Sequence, residues 1–358
     1  MENPFKFGTV VDGNFFTDRT KELIYVKSVL NSENHIVLIS PRRFGKTSLV
    51  IKAAKETDRP VLFLNLESMT DKRDFAVAIL KHIFKLFPFE KVKHMMRNFR
   101  FVPTLSMSAI GDSMDISFVP QINEDAVLED SFALLERVAE NGKIIVIFDE
   151  FQSINEIAPR LDKQLRAIMQ MQKNINYVLL GSQESMMREI FEQKRSPFYH
   201  FGTLMTLNKI PYDDFSEFIE ERLPEAVGEY KKDVVTDILA FTDCHPYYTQ
   251  KLAFHVWDII DREGFRQDVV NKAIEMSNYI HDNDYERLWI SLNKTDKRVM
   301  RYMAMNPRMS SLAPASLGMA TSTIYSSLKR LVRSGLAIKT DTYIIDDPFF
   351  AEWIKTRM

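Results

Sequence analysis

Along the first 210 residues, short apolar runs bounded by polar residues alternate with longer stretches in which apolar residues recur every three or four positions. The runs at Ile36–Ser40, Val61–Leu64, "KIIVIFDEF", "NYVLLGS" and "GTLMTLNKI" predict buried strands. Between them, Leu23, Val26, Val29 and Leu30 share one helical face, with Thr17 or Asp18 placed to cap it. A helix is expected from about Lys46 to Ala54. Phe75, Ile79, Ile83 and Phe87 recur every fourth residue in a third helix, and further helices are expected over 126–140 and from Ala158 to Gln172. Residues 101–120 break this rhythm: apolar and serine positions alternate on both sides of "GDS", the pattern of an inserted β-hairpin.

Five apolar strands separated by helices imply an α/β domain with a largely parallel sheet. From Tyr212 to about Ile280 the pattern is helical throughout, and a third unit begins near Leu292. The expected division is therefore 1–208, 209–290 and 291–358. In the last unit, "TDKRVMRYMAMNP" turns Val299, Tyr302 and Met303 inward. "APASLGM" follows, and then a helix that Thr321 can cap, with Ile324, Leu328 and Leu331 as its buried stripe and Gly335 at its end. "AIKTDTYIID" closes a hairpin at Thr340-Asp341, so the unit reads as a winged helix-turn-helix.

Composition narrows the setting. With 45% apolar and 27% charged residues the 358-residue chain can bury a core of its own. The single cysteine, Cys244, leaves no intramolecular disulfide to form, which fits a reducing compartment. No signal-like start and no long apolar run is present, so a cytoplasmic protein without membrane contact is expected.

The candidate chemistry begins where the first strand ends, at "SPRRFGKTS". A tight loop between strand and helix aims backbone N–H groups at a common centre, and the helix N-terminus adds partial positive charge. Lys46 would reach the β- and γ-phosphates of a nucleotide, and Thr47 would ligate Mg²⁺. Gly45 permits close backbone approach. Ser40 stands where the usual first glycine of a phosphate loop belongs. Small, and held extended by the following Pro41, it is compatible with a strand end. At the end of another strand, Asp149 can hold the Mg²⁺ water shell and Glu150 can polarise a water for attack on the γ-phosphate. "LLGSQ" ends a further strand with Ser182, and after it Gln183, placed to sense the γ-phosphate. A solvated carboxylate pair and a plain strand-end turn are the bland readings of these two places.

With "FFTDRTKEL", "SPRRFGKTSL", "IFDEFQ", "LLGSQ" and "CHPYYTQKL" in this order, residues 10–350 resemble the AAA+-related ATPases of the STAND class. Within it they resemble the predominantly archaeal ATPases related to replication initiators. The resemblance implies a P-loop NTPase core of strand order 5-1-4-3-2, a helical lid, ATP/ADP and Mg²⁺ as cofactors, and a slow, nucleotide-driven switch. It implies Phe16 and Arg19 near the adenine end and Ser40, Pro41, Arg42, Arg43, Phe44, Gly45, Lys46, Thr47 and Ser48 around the phosphates. His245-Pro246 would be the lid turn that reaches the nucleotide, although Cys244 replaces the family's glycine. A capping role for His245 is the alternative. The family's arginine finger has no clear counterpart in "KRSPFYHFG": it is absent, displaced to Arg195, or supplied by another subunit, so a homo-oligomer or a regulatory protein partner is also implied.

Charge adds a second reading. Between Asp296 and Lys339 stand eight Lys/Arg and one acid, a net +7 that leaves −9 on the rest of a chain of −2. That asymmetry suits a phosphate backbone. Thr323, Ser327, Lys329, Arg330 and Arg333 are the groove-facing candidates, and Lys329, Arg330 and Arg333 the expected DNA contacts. The alternatives are a regulatory lid that never touches DNA and an ATP-modulated DNA-binding regulator or mobile-element factor. A small-molecule kinase is disfavoured by the adjacent Asp149 and Glu150.

Overall fold

The computed structural model describes residues 2–11, 13–17, 19–96, 99–100, 104–107, 114–117, 123–140, 142–307, 317–339 and 341–357. It divides into two compact units. One is Arg19–Pro41 with Lys46–Asn208, and the other is Met1–Asp18, Arg42–Gly45 and Lys209–Met358.

The first unit runs α1 (Thr20–Leu30), β1 (Ile36–Ile39), α2 (Lys46–Lys55), β2 (Val61–Asn65), α3 (Lys72–Leu86), α4 (Phe89–Met95), β3 (Thr104–Met107), β4 (Met114–Ser117), α5 (Glu124–Ala139), β5 (Ile144–Asp149), α6 (Ile154–Ile157), α7 (Leu161–Met169), β6 (Ile175–Gly181), α8 (Glu184–Glu192) and β7 (Thr203–Thr206). Its sheet has the order β2-β5-β6-β1-β7, and every neighbouring pair is parallel. Counting the five sheet strands along the chain gives 5-1-4-3-2, the expected order of a P-loop NTPase core. β1, β6 and all of β5 but its final Asp149 are buried, so their sequences read as unbroken apolar runs. Phe75, Phe132, Phe148, Phe151 and Tyr177 pack on one another in the core.

The expected hairpin is present: β3 and β4 pair antiparallel from Thr104↔Ser117 to Met107↔Met114, and Ile116 is buried. Its "GDS" turn lies outside the described residues, as do Asp18, Asn141 and Thr340. Four details differ from expectation. β2 and β7 are only partly buried rather than buried throughout, since each is an outer strand of the sheet. The helix expected over Ala158–Gln172 is the shorter α7, which starts only at Leu161, because Pro159 holds Ala158 extended (φ −160, ψ 147) and Arg160 follows in the left-handed region (φ 63); the short α6 before it was not expected. α1 is preceded by Arg19 at φ 70 with no side-chain cap, while the Thr17 hydroxyl accepts from Gln250 Nε2 at 2.9 Å in the second unit. The residue before α15 is Ala320, so Thr321 is the first helical residue rather than the cap.

One core position carries a pH signature. His35 stacks on Phe201 (ring centroids 4.5 Å apart) and its Nδ1 accepts from the Tyr177 N–H at 3.2 Å, a role open only to neutral imidazole. Burial, with Arg166 nearby, lowers its pKa from 6.5 to about 4. Between those values the unfolded chain takes up a proton that the native state does not. The stabilisation is therefore complete above pH 6.5 and falls as the pH drops towards 4, by at most about 3 kcal/mol. Denaturant unfolding across pH 4–7 should show this slope, and His35→Phe should flatten it.

The second unit is mostly helical: α9 (Tyr212–Glu220), α10 (Lys231–Thr242), α11 (Pro246–Glu263), α12 (Val269–Ile280), α13 (Asp282–Ser291), α14 (Lys294–Met305), α15 (Thr321–Arg333), the antiparallel pair β8 (Ala337–Lys339) and β9 (Tyr343–Ile345), and α16 (Pro348–Arg357). Residues 209–290 and 291–357 contribute to a single apolar cluster that also takes in Phe5. Most of "APASLGM" lies outside the described residues. Among the described residues no helix is long and apolar enough to cross a membrane.

Candidate nucleotide site

β1 delivers Ser40 to its C-terminal end, fully buried, its N–H bonded to Gly181 O at 3.3 Å. The Ser40 hydroxyl lies 3.3 Å from the Pro41 carbonyl rather than on a loop amide. Lys46 opens α2 and is 6% exposed, its Nζ donating to Ser40 O (2.9 Å) and Pro41 O (3.0 Å). Both carbonyls belong to the first two positions of the loop, so Lys46 holds its entry. A Cβ at Gly45 would meet no atom within 4 Å, and what favours glycine there is its φ of +87. Ser48 is buried in the first turn of α2.

Three parallel strands bring the remaining groups to the same edge. Thr47 Oγ1 donates to Asp149 Oδ2 at 3.0 Å, joining residues 102 positions apart. Burial, then the neighbouring Glu150, raise the Asp149 pKa, while the Thr47 bond and Lys46 oppose the shift. A cation at this place would relieve both raising effects, so the Thr47 and Asp149 pair fits Mg²⁺. Two protein ligands suffice for an ion that keeps much of its water shell. Mg²⁺ here would shield and orient the phosphates of a bound nucleotide.

Glu150 follows β5 in the left-handed region (φ 52, ψ 47). Ser182 Oγ, at the end of β6, donates to Glu150 Oε2 at 2.6 Å, and Gln152 Nε2 donates to the same oxygen. Gln183 stands before α8 with no side-chain capping bond. The structure thus brings Lys46, Thr47, Asp149, Glu150 and Ser182 to one sheet edge. It adds Gln152, which sequence reasoning met only as the last letter of "DEFQ". An amide two residues beyond the glutamate was the available signal.

Arg19 is 4% exposed, with its guanidinium on Glu22 Oε1 (3.1 Å) and the Asn208 carbonyl (2.5 Å). It therefore secures the strand exit after β7. Arg195 is a surface residue, its side chain 83% exposed beside Gln193 and Glu189.

The other expected residues lie in the second unit. Arg43, itself at φ 66, donates to Tyr248 Oη at 3.1 Å, with its guanidinium 4.5 Å from the Tyr247 ring centroid. Arg42 is exposed and Phe44 buried, edge-on to His245 at 4.8 Å. Phe16 is half-buried, its N–H bonded to Gly13 O. His245 caps α11 through Nδ1, which accepts from the Tyr247 N–H at 3.3 Å, and Pro246 is the first helical residue. The capping reading of His245 therefore holds in this conformation. Its Nε2 lies 3.6 Å from Asp346 Oδ1, and both atoms are buried without a hydrogen bond. The turn survives the loss of the family's glycine because Asp243 and Cys244 both take left-handed angles (φ 48 and 55).

On α15 the expected DNA-facing set divides. Ser327 is fully buried and donates to Asp296, so it faces inward. Arg330 is bidentate on Asp296, at 2.6 and 3.2 Å. Lys329 lies over the exposed Tyr325 ring at 4.9 Å, and Arg333 and Thr323 are exposed.

Comparison with known proteins agrees with this geometry. The family described as an ATPase domain predominantly from Archaea matches residues 16–252. An uncharacterized protein of Methanocaldococcus jannaschii is 25% identical over 257 residues, 71% of this chain, and the chain spans about half (47%) of that relative. A Walker-type ATPase of Pyrococcus abyssi superposes with a TM-score of 0.66 at 18% identity, over 95% of this chain and 96% of that one. The Aeropyrum pernix ORC2 protein does so with 0.57 at 16% identity, over 98% of each chain. The Aeropyrum pernix ORC1 protein, solved in complex with DNA, gives 0.53 at 14% identity over 96% and 93%. Likeness at these identities concerns the fold.

Proposed function

The chain belongs to the family of ATPase domains found predominantly in Archaea, and we propose that it uses its ATPase cycle as a molecular switch, read out by the lid and C-terminal helices. On this reading Lys46 binds the β- and γ-phosphates, Thr47 and Asp149 hold Mg²⁺, Glu150 polarises the attacking water and Ser182 senses the γ-phosphate. Residues 209–290 act as the lid and 291–358 as a winged helix.

One observation carries the switch. Arg43, inside the phosphate loop, is bonded to Tyr248 and stacked on Tyr247 at the start of α11. Phosphate is a stronger partner for guanidinium than a neutral phenol. A bound nucleotide would draw Arg43 off the two tyrosines, and the change would pass into α11 and its apolar cluster. The aromatic reporters are in place, because Trp257, Trp289 and Trp353 all belong to that cluster. Mg-ATP should change tryptophan emission in the wild type. Arg43→Ala should bind nucleotide, measured by calorimetry, with that change lost. An equal signal in Arg43→Ala would sink the coupling.

A second reading rests on the exposed side chains of α15, which include Thr323, Tyr325, Lys329 and Arg333. It makes the chain an ATP-modulated duplex binder whose contacts exclude the Asp296-bound Arg330. Titrating duplex DNA in the same cuvette at low salt separates the two. Salt-sensitive binding lost in Lys329→Ala/Arg333→Ala supports the second reading, and no binding removes it.

A further inference from the structure

The chain places an unusual second support on Glu150. Gln152 lies two residues beyond it in the short 3-10 turn Phe151–Ser153 and is 2% exposed. Its Nε2 donates to Glu150 Oε2, the oxygen that also accepts from Ser182 Oγ. Its other amide atom, Oε1, is buried without a hydrogen-bond partner. A glutamine kept for structure alone would use both ends, since a buried unpaired amide oxygen is destabilising. An apolar side chain of the same length would fill this space without that cost.

The surroundings hold the amide in one place. A Cβ added at Gly181 would fall 2.6 Å from Gln152 Oε1 and 2.3 Å from Met187 Sδ, so glycine at the end of β6 leaves just enough room for both side chains. Glu150, meanwhile, sits on a left-handed backbone that a non-glycine residue keeps only when its surroundings enforce it. Two donors on one carboxylate oxygen provide such enforcement, and both act on the same side of the group.

We propose that Gln152 is a positioning residue for ATP hydrolysis: with Ser182 it pins Glu150 by Oε2 and leaves Oε1 to accept from the attacking water. The inference rests on Glu150 being the group that polarises that water. In the step itself the water oxygen bonds to the γ-phosphorus while the bridging oxygen leaves with ADP. The water's proton passes to Glu150 Oε1, and the products are ADP and inorganic phosphate. Gln152 touches none of these atoms. It fixes the direction in which the carboxylate points.

The test uses the full chain as wild type, Gln152→Leu, Glu150→Gln and the double variant, with single-turnover ATP hydrolysis, nucleotide affinity and thermal unfolding measured for each. Gln152→Leu should lower turnover by roughly 10–10²-fold, the scale of a misdirected catalytic group. Its ATP affinity should stay within about twofold of wild type, because the turn makes no phosphate contact in this scheme. Its unfolding midpoint should be equal to or above that of wild type. In the Glu150→Gln background the same change should lower turnover no further. The proposal is overturned if Gln152→Leu hydrolyses ATP at the wild-type rate while Glu150→Gln does not. It is also overturned if the substitution costs the same factor in both backgrounds, or if turnover, affinity and midpoint fall together as in simple misfolding. Should Glu150→Gln itself turn over normally, the role given to Glu150 fails and this inference falls with it, a pattern distinct from the other three.

Discussion

Lys46→Ala is expected to lower kcat/KM for ATP by about 10²–10³-fold, the cost typical of removing one preorganised charged donor from developing oxyanion charge. The reason begins with burial. The Lys46 ammonium is nearly enclosed and donates to the carbonyls of Ser40 and Pro41. In water-poor surroundings such a charge interacts strongly with phosphate. Truncation also leaves two carbonyls short of a donor, roughly 1–3 kcal/mol each if they stay buried. Some loss of stability should therefore accompany the loss of activity, and Lys46→Met, which keeps most of the aliphatic stem, separates the two effects. Calorimetric ATP titration and steady-state phosphate release are the measurements. Turnover within a factor of a few of wild type in both variants would remove Lys46 from the site.

Glu150→Gln should behave differently: turnover falls by about 10²–10⁴-fold, the usual contribution of a positioned general base, while ATP still binds. Glutamine keeps the length of the side chain, and its amide oxygen can still accept from Ser182 and Gln152. What disappears is the ability to take up a proton. Because Asp149 is next to it and its own carboxyl is raised partly by the Glu150 charge, the neutral side chain also eases ionisation of Asp149. Mg²⁺ affinity should then be retained. Trapped ATP with unchanged Mg²⁺ dependence is the expected signature. A proportional loss of binding and turnover would instead assign Glu150 to nucleotide affinity.

Much of the fold was legible along the chain because it depends on local strings. Apolar runs of four to seven residues end in small or acidic residues, and strands buried on both faces have no other way to be written. The phosphate loop is read from nine consecutive residues. The start of α7 at Leu161 is less visible, since the apolar period continues across Pro159 and only the restriction on Ala158 marks the boundary. Caps were misread for a similar reason. Thr17 has the right side chain, but its hydroxyl bonds Gln250, 233 residues away in sequence.

Side-chain partners were the part that residue type could not foretell. Charge counting treated Arg330 as one of three equivalent cations, whereas Asp296, the single acid of that segment, holds it by two hydrogen bonds together with Ser327. Arg43 reads as a phosphate ligand from its position, yet in the fold its guanidinium meets Tyr247 and Tyr248. The order of residues along the chain is enough to place a lysine loop and two carboxylates at the ends of parallel strands, because period and burial dictate where strands stop. That one oxygen of Glu150 is shared by Ser182 and Gln152 emerges in the folded protein alone, because hydrogen bonds depend on angles and on which rotamer the neighbours leave room for. Those are properties of atoms brought together by β5 and β6, and no single stretch of chain contains them.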